Sequence, residues 1–202
     1  MPKTVVAIVG SYRKAGVIDT AVDEILRAAQ DSGFQTSKIY LIDKHIEFCT
    51  NCRACVQNPG TVRGNCRHND DMAPILDQID FADGLVIASP VNFYNVTAVT
   101  RKFMERLTVY GYWPWGMGIP KFRIAKSGKK AVLVTSSAAP AFIGKIFFRP
   151  ALTALKVIAQ CFGAKVIARI YFGMVAQQPK STLNQKDLAR VYKAGVKLAN
   201  SV

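Results

Sequence analysis

The chain alternates between two hydrophobic periods. Thr4-Val5-Val6-Ala7-Ile8-Val9 is an unbroken apolar run closed by Gly10-Ser11, the pattern of a strand covered on both faces. Ala21, Val22, Ile25, Leu26 and Ala29 then recur at helical spacing until Ser32-Gly33 stops them. Residues 36–42 predict a second strand, 84–89 a third closed by Pro90, 131–135 a fourth and 166–172 a fifth. Helical patterns run over 70–79, 96–107 and 151–162, and an amphipathic helix over 183–198 ends the chain. Strands separated by helices predict an α/β fold with a parallel sheet and helices on both faces, in a single domain spanning 1–202. Two segments break the alternation. One is a cysteine-rich loop at about 45–69, and the other an aromatic and basic loop at about 110–130. Open parallel sheets bind ligands beyond the carboxyl ends of their strands, so the loops after strands one, three and four are the candidate site.

Composition narrows the class. Half of the 202 residues are hydrophobic and a fifth are charged, which excludes a disordered or collagen-like chain. No eighteen-residue run is free of charge, so no spanning helix is expected. Met-Pro-Lys-Thr leads straight into strand one without the features of a signal peptide, so the expected location is cytoplasmic. The net charge is +14, and it is lopsided: residues 1–100 carry a balance of −2 and residues 101–202 one of +16. A surface built by the second half therefore suits an anionic partner, such as a phosphorylated cofactor or membrane head groups. No nucleic-acid-binding motif accompanies the charge.

After strand one comes Gly10-Ser11-Tyr12-Arg13-Lys14-Ala15-Gly16, then Val17-Ile18-Asp19-Thr20. A strand-to-helix loop of this kind offers free N–H groups, a helix N-terminus and two cations, which is chemistry for a phosphate. After strand three come Ser89-Pro90-Val91-Asn92-Phe93-Tyr94, with Arg101-Lys102-Phe103-Met104-Glu105-Arg106 downstream. The chain here resembles the NADPH-dependent FMN reductases and their flavodoxin-like relatives. Those proteins carry Gly-Ser-x-Arg-x-x-Gly, Ser-Pro-x-Tyr and Lys-x-Phe-x-Asp-Arg at corresponding places. The resemblance implies a flavodoxin-like three-layer sandwich with strand order 2-1-3-4-5 and noncovalent FMN at the strand ends. Its phosphate would lie on Ser11, Arg13, Lys14 and the backbone of Val17, Ile18, Asp19 and Thr20. Its ring would lie against Pro90, Val91, Asn92, Phe93 and Tyr94, and its far edge would meet Ser136, Ser137 and Ala138. The implied activity is transfer of reducing equivalents from NADPH or NADH through FMN to a small acceptor, with no catalytic side chain required. Asn92 stands where the family has tyrosine, which hands the ring contact to Phe93 or Tyr94. Asp19 near a phosphate repels it unless the carboxylate caps the helix.

Cys49, Cys52, Cys55 and Cys66 fall within one segment, while Cys161 sits alone in an apolar helical stretch. Cys49-x-x-Cys52-x-x-Cys55 is a spacing used for four-iron clusters, with Cys66 as fourth ligand. Iron–sulfur flavoproteins close this motif with a shorter final gap, so a 4Fe-4S cluster, zinc and free thiols all stay open. His45 and His68 read as loop residues of the same segment. Lys121, Arg123, Lys126, Lys129 and Lys130 precede strand four and are expected to hold a nicotinamide 2′-phosphate near the flavin. Trp113 and Trp115 are expected at the interface of a homo-oligomer, since aromatic side chains dominate interface energy. The same aromatic and basic loop would alternatively suit a peripheral membrane contact.

Overall fold

The computed structural model describes residues 2–60, 62–178 and 180–202. One parallel sheet of five strands forms the centre, and the chain enters it at β1 (Thr4–Val9). Helix α1 (Val17–Asp31) leads to β2 (Gln35–Tyr40) and α2 (Met72–Phe81) to β3 (Gly84–Ala88). A two-stranded hairpin, β4 (Val91–Asn92) with β5 (Asn95–Val96), precedes α3 (Ala98–Arg106). A second hairpin, β6 (Gly111–Tyr112) with β7 (Lys121–Phe122), precedes β8 (Lys130–Ser136). Helices α4 (Ala141–Phe147) and α5 (Arg149–Cys161), β9 (Lys165–Phe172) and α6 (Gln185–Ala199) complete the chain. The main sheet has the order β2-β1-β3-β8-β9, which, counting only its own strands, is the order 2-1-3-4-5 that the resemblance implied.

The layers follow from the pleat. Successive strand residues point to opposite faces. Val6 and Ile8 of β1 pack with Leu85 and Ile87 of β3 under α2, α3 and α5. Val5, Ala7 and Val9 pack with Val86 and Ala88 under α1 and α6. Each fully buried Val, Leu or Ile contributes roughly 1.5–3 kcal/mol relative to exposure, which is why both faces of β1 read as apolar.

Strand and helix ends differ from the sequence expectation by a residue or a few, as ends usually do. Three elements were not expected: the two hairpins and α4. Helix α4 leaves Phe142, Ile146 and Phe147 exposed, so it lacks the single core-facing stripe that marks a helix in sequence. No helix among the described residues is long and apolar enough to cross a membrane.

Candidate functional site

Parallel pairing aligns the strand ends. Val9 sits beside Ala88, and Ala88 beside Val134, so the loops after β1, β3 and β8 leave the same edge of the sheet. Hydrogen bonds tie these loops together. Gly10 N–H donates to Ala88 O at 2.7 Å and Ser89 N–H to Val134 O at 3.1 Å. The Thr97 hydroxyl donates to Gly10 O at 2.6 Å, and the Thr100 hydroxyl donates to Ser89 Oγ at 3.1 Å. Ala98 N–H, at the start of α3, donates to the Tyr12 hydroxyl at 3.0 Å. Tyr12, Thr97 and Thr100 were not singled out in the sequence. Thr97 had a usable signal, since a threonine just before a helical stretch reads as an N-cap, and its side chain accepts from Thr100 N–H.

The first loop is shaped by Ser11 and Asp19. Ser11 is buried, and its hydroxyl accepts from Arg13 N–H at 3.1 Å while donating to Arg13 O at 3.0 Å. The Arg13 side chain is exposed and makes no hydrogen bond or ion pair among the described residues. Lys14 does not join it: its ammonium pairs with Asp43 at 2.7 Å and lies 5.0 Å from the Tyr40 ring. Asp43, just after β2, is thus an exposed surface partner for one of the loop's two cations. Helix α1 starts after Gly16 with no side-chain cap. Val17 and Ile18 turn their side chains into the core and can offer only backbone N–H groups. Thr20 N–H already closes the first helical turn onto Gly16 O. Asp19 is buried, accepts from Ala15 N–H at 2.6 Å and pairs with Lys38 at 2.6 Å. Burial acts to raise the Asp19 carboxyl, but Lys38, Ala15 N–H and Tyr40 outweigh it and hold it below the usual range.

The second loop is the β4–β5 hairpin. Phe93 and Tyr94 occupy its two central positions, both at positive φ (46° and 69°). Turns of this type normally carry Asn-Gly or similar, so two aromatic residues there are under backbone strain. Phe93 is 94% exposed, and the Tyr94 ring stands 5.5 Å from that of Phe148. Pro90 and Val91 are half-buried and Asn92 is exposed. In the third loop Ser136 and Ser137 are buried and Ala138 is exposed. Tyr171 donates to Ser137 Oγ at 2.8 Å, and Thr135 Oγ1 is buried without a partner among the described residues.

Cys49, Cys52, Cys55 and Cys66 line one cavity with His68 and Thr108. Asn51 and Arg53, on either side of Cys52, are both left-handed (φ 51° and 58°), and this wraps the segment. Gly64 brings the Cys66 arm against the Cys55 arm: a Cβ on Gly64 would stand 1.7 Å from Cys55 O. Burial and the other three cysteines push the Cys55 thiol up to about 11, whereas Ala54 N–H lowers that of Cys52. Arg106 is buried with Asp70 at the back of the segment and donates to Cys66 Sγ at 3.4 Å. No group of three or more His, Cys, Asp or Glu among the described residues is arranged to hold a metal ion. Cys161 lies in the core, as its apolar setting predicted.

One expectation changes, and a second gains an intrachain contact. Lys126, Lys129 and Lys130 stand at the amino end of β8, where Lys130 pairs with Gly84 and Lys165, so they are across the sheet from the candidate site. Lys129 is spent on Asp80 O and Ala82 O, and Arg123 on Gly111 O and Asn58 O. Lys126, Lys129 and Lys130 therefore lie at the opposite ends of the strands from the candidate site. The aromatic loop folds onto the cysteine segment: Arg53 lies 3.9 Å from the Trp113 ring and 4.0 Å from that of Trp115. Trp113 also donates to Met117 O at 2.7 Å. Their faces are thus engaged within the chain, by cation–π stacking that sequence spacing could not reveal.

Residues 3–178 match the model of a family described as NADPH-dependent FMN reductase. An iron-sulfur flavoprotein of Archaeoglobus fulgidus is 35% identical over 109 residues, 54% of this chain and 47% of the relative. Another, of Methanocaldococcus jannaschii, is 35% identical over 102 residues, 50% of each. The chain thus spans about half the length of the curated relatives it matches. Among solved structures, an NAD(P)H:quinone oxidoreductase from Methanothermobacter marburgensis superposes with a TM-score of 0.72 at 15% identity, covering 98% of this chain and 100% of that one. An archaeal flavodoxin gives 0.53 at 13%, covering 98% and 96%. At such identities the structural likeness speaks for the flavodoxin-like fold.

Proposed function

This chain belongs to the NADPH-dependent FMN reductase family, and from that premise we propose an FMN-dependent oxidoreductase that passes reducing equivalents from NADPH or NADH to a small acceptor, such as a quinone or a flavin. The observation that carries the reading is the convergence, at one sheet edge, of an uncapped helix start with an exposed Arg13 and of a strained hairpin that presents two aromatic rings. The first suits a phosphate and the second a flat apolar ring. Bound FMN supplies the hydride and electron transfer. The chain's part is to bind, orient and shield. The backbone N–H groups of Val17 and Ile18 and the Arg13 guanidinium hold the phosphate. Phe93 and Tyr94 cover the ring, and the buried Ser136 and Ser137 with Ala138 border its far edge. FMN is expected to bind, and Arg13→Ala to weaken binding by about 1–3 kcal/mol, the scale of a lost charge-assisted hydrogen bond. Flavin fluorescence titration reads both. A wild-type protein that takes up no FMN in any redox state sinks the reading.

The four cysteines around one cavity favour a second reading, an electron-transfer flavoprotein with a four-iron cluster on Cys49, Cys52, Cys55 and Cys66. The donor set suits it, and the matched relatives of Archaeoglobus fulgidus and Methanocaldococcus jannaschii are iron-sulfur flavoproteins. Anaerobic reconstitution is expected to raise iron and sulfide toward about four of each per chain. A protein that stays coloured by flavin alone leaves free thiols or zinc. A homo-oligomer, checked by light scattering, is the proposed assembly. Trp115 and Phe122 of the aromatic loop, Phe93 of the hairpin and the α4 side chains Phe142, Ile146 and Phe147 are exposed and offer it apolar surface.

A further inference from the structure

An acidic residue in the first turn of α1 is an odd choice for a loop that receives a phosphate. Asp19 lies at the third position of that helix, in the turn whose N–H groups have no internal partner. Unpaired, its charge would oppose any anion bound there. The structure shows what the carboxylate does instead. Its Oδ2 accepts from Ala15 N–H at 2.6 Å, and Ala15 has a left-handed backbone (φ 57°) that a non-glycine residue adopts only when held. Its Oδ1 accepts from the Tyr40 hydroxyl at 2.8 Å and meets Lys38 Nζ at 2.6 Å. The carboxylate thus shapes the turn that leads into α1.

Lys38 comes from β2, outside the loop, and its side chain is mostly buried. It lies 4.8 Å from the Tyr40 ring and also pairs with Asp23, whose side chain is largely exposed and so screened by water. The buried partner, Asp19, is the one whose charge Lys38 chiefly cancels. Arg13 is too exposed to do this, and Lys14 is engaged with Asp43.

We propose that Lys38 is a positioning residue of the phosphate site: by neutralising Asp19 it lets a carboxylate hold the loop in shape without repelling the phosphate of FMN. The proposal rests on the FMN reading and deepens it. It assigns a role to a strand residue that touches no ligand, and it makes a specific claim about charge. Riboflavin, which has the same ring and no phosphate, should not sense Lys38.

The test is equilibrium binding of FMN and of riboflavin to apoprotein, for wild type, Lys38→Met, Asp19→Asn and the double variant. Lys38→Met is expected to weaken FMN by about tenfold, the scale of one uncompensated charge at a partly buried site, and to leave riboflavin within about twofold. Asp19→Asn, added to Lys38→Met, is expected to restore FMN affinity, because the offending charge is gone while an acceptor for Ala15 N–H remains. Equal losses for both flavins in Lys38→Met, or an unchanged FMN-to-riboflavin ratio, overturn the proposal. If Lys38→Met does not fold, Lys38→Arg and Asp19→Asn decide. The first should keep the wild-type ratio and the second should hold or raise it, and a fall in the ratio in either overturns the proposal. Failure of the premise is read from wild type alone: a protein that binds neither flavin, or both equally, has no phosphate site for Lys38 to serve.

Discussion

Replacing Asp70 with alanine is expected to cost about 3–5 kcal/mol, because it leaves the buried Arg106 guanidinium without its counter-charge. The pair is closed to water on both sides, with side-chain exposures of 1% and 0%. Asp70 also accepts from Glu47 N–H and Met72 N–H, so one carboxylate ties together the cysteine segment, the start of α2 and the end of α3. Thermal unfolding should show a fall of roughly 10 °C in a chain of this size. The double variant Asp70→Ala/Arg106→Met should lose less than the sum of its singles, since removing both charges abolishes the desolvation cost that one stranded charge retains. Simple additivity would show that the two residues are not coupled. The pair also sets an acid limit. Burial acts to raise the Asp70 carboxyl, but the hydrogen bond from Arg106 and the two N–H groups outweigh it and hold it below the ordinary range. A depressed carboxyl contributes its stability in full above the unfolded pKa of about 4 and loses it as the pH falls through the lower native value. Asp70→Asn should flatten that acid limb, and an unchanged pH profile would remove Asp70 as its source.

Gly10→Ala is expected to disturb both stability and flavin binding. A Cβ there would stand 1.8 Å from Thr100 Oγ1 and 3.1 Å from Thr100 Cβ. Thr100 cannot swing aside, because it is buried and its hydroxyl lies between those of Thr97 (2.8 Å) and Ser89 (3.1 Å). Relief requires moving the start of α3 away from the end of β1. That separates the phosphate loop from the hairpin loop, which Thr97 otherwise links through Gly10 O. Overpacking of this kind costs typically about 1–3 kcal/mol, and FMN affinity should fall with it. Urea unfolding and fluorescence titration check the two effects. Thr100→Ala in the same background should recover part of each. A Gly10→Ala protein with wild-type stability and FMN affinity would show that the two loops need not touch.

The five strands, their parallel arrangement and the strand-end loops were legible in the chain because each depends on local periodicity. Thr4 to Val9 is apolar at every position because both faces of β1 are covered, and a period-2 pattern would have meant something else. The loops proposed to hold flavin were legible for a related reason: Ser11, Arg13 and the Ser89-Pro90 turn sit in fixed register to the strands they leave. What the sequence could not show was how charges and rings choose partners across the fold. Lys14 and the basic run before β8 have the same local signature, a cation beside a loop. Tertiary structure sends the first to Asp43 and the second to the amino end of β8. Trp113 and Trp115 both take Arg53, some sixty residues earlier, as a stacking partner, while Trp115 stays exposed. Asp19 looked like an obstacle until β2 brought Lys38 beside it. Periodicity is decided within one element by burial. Pairing is decided between elements distant in sequence, where a charge takes the partner that the fold places within reach.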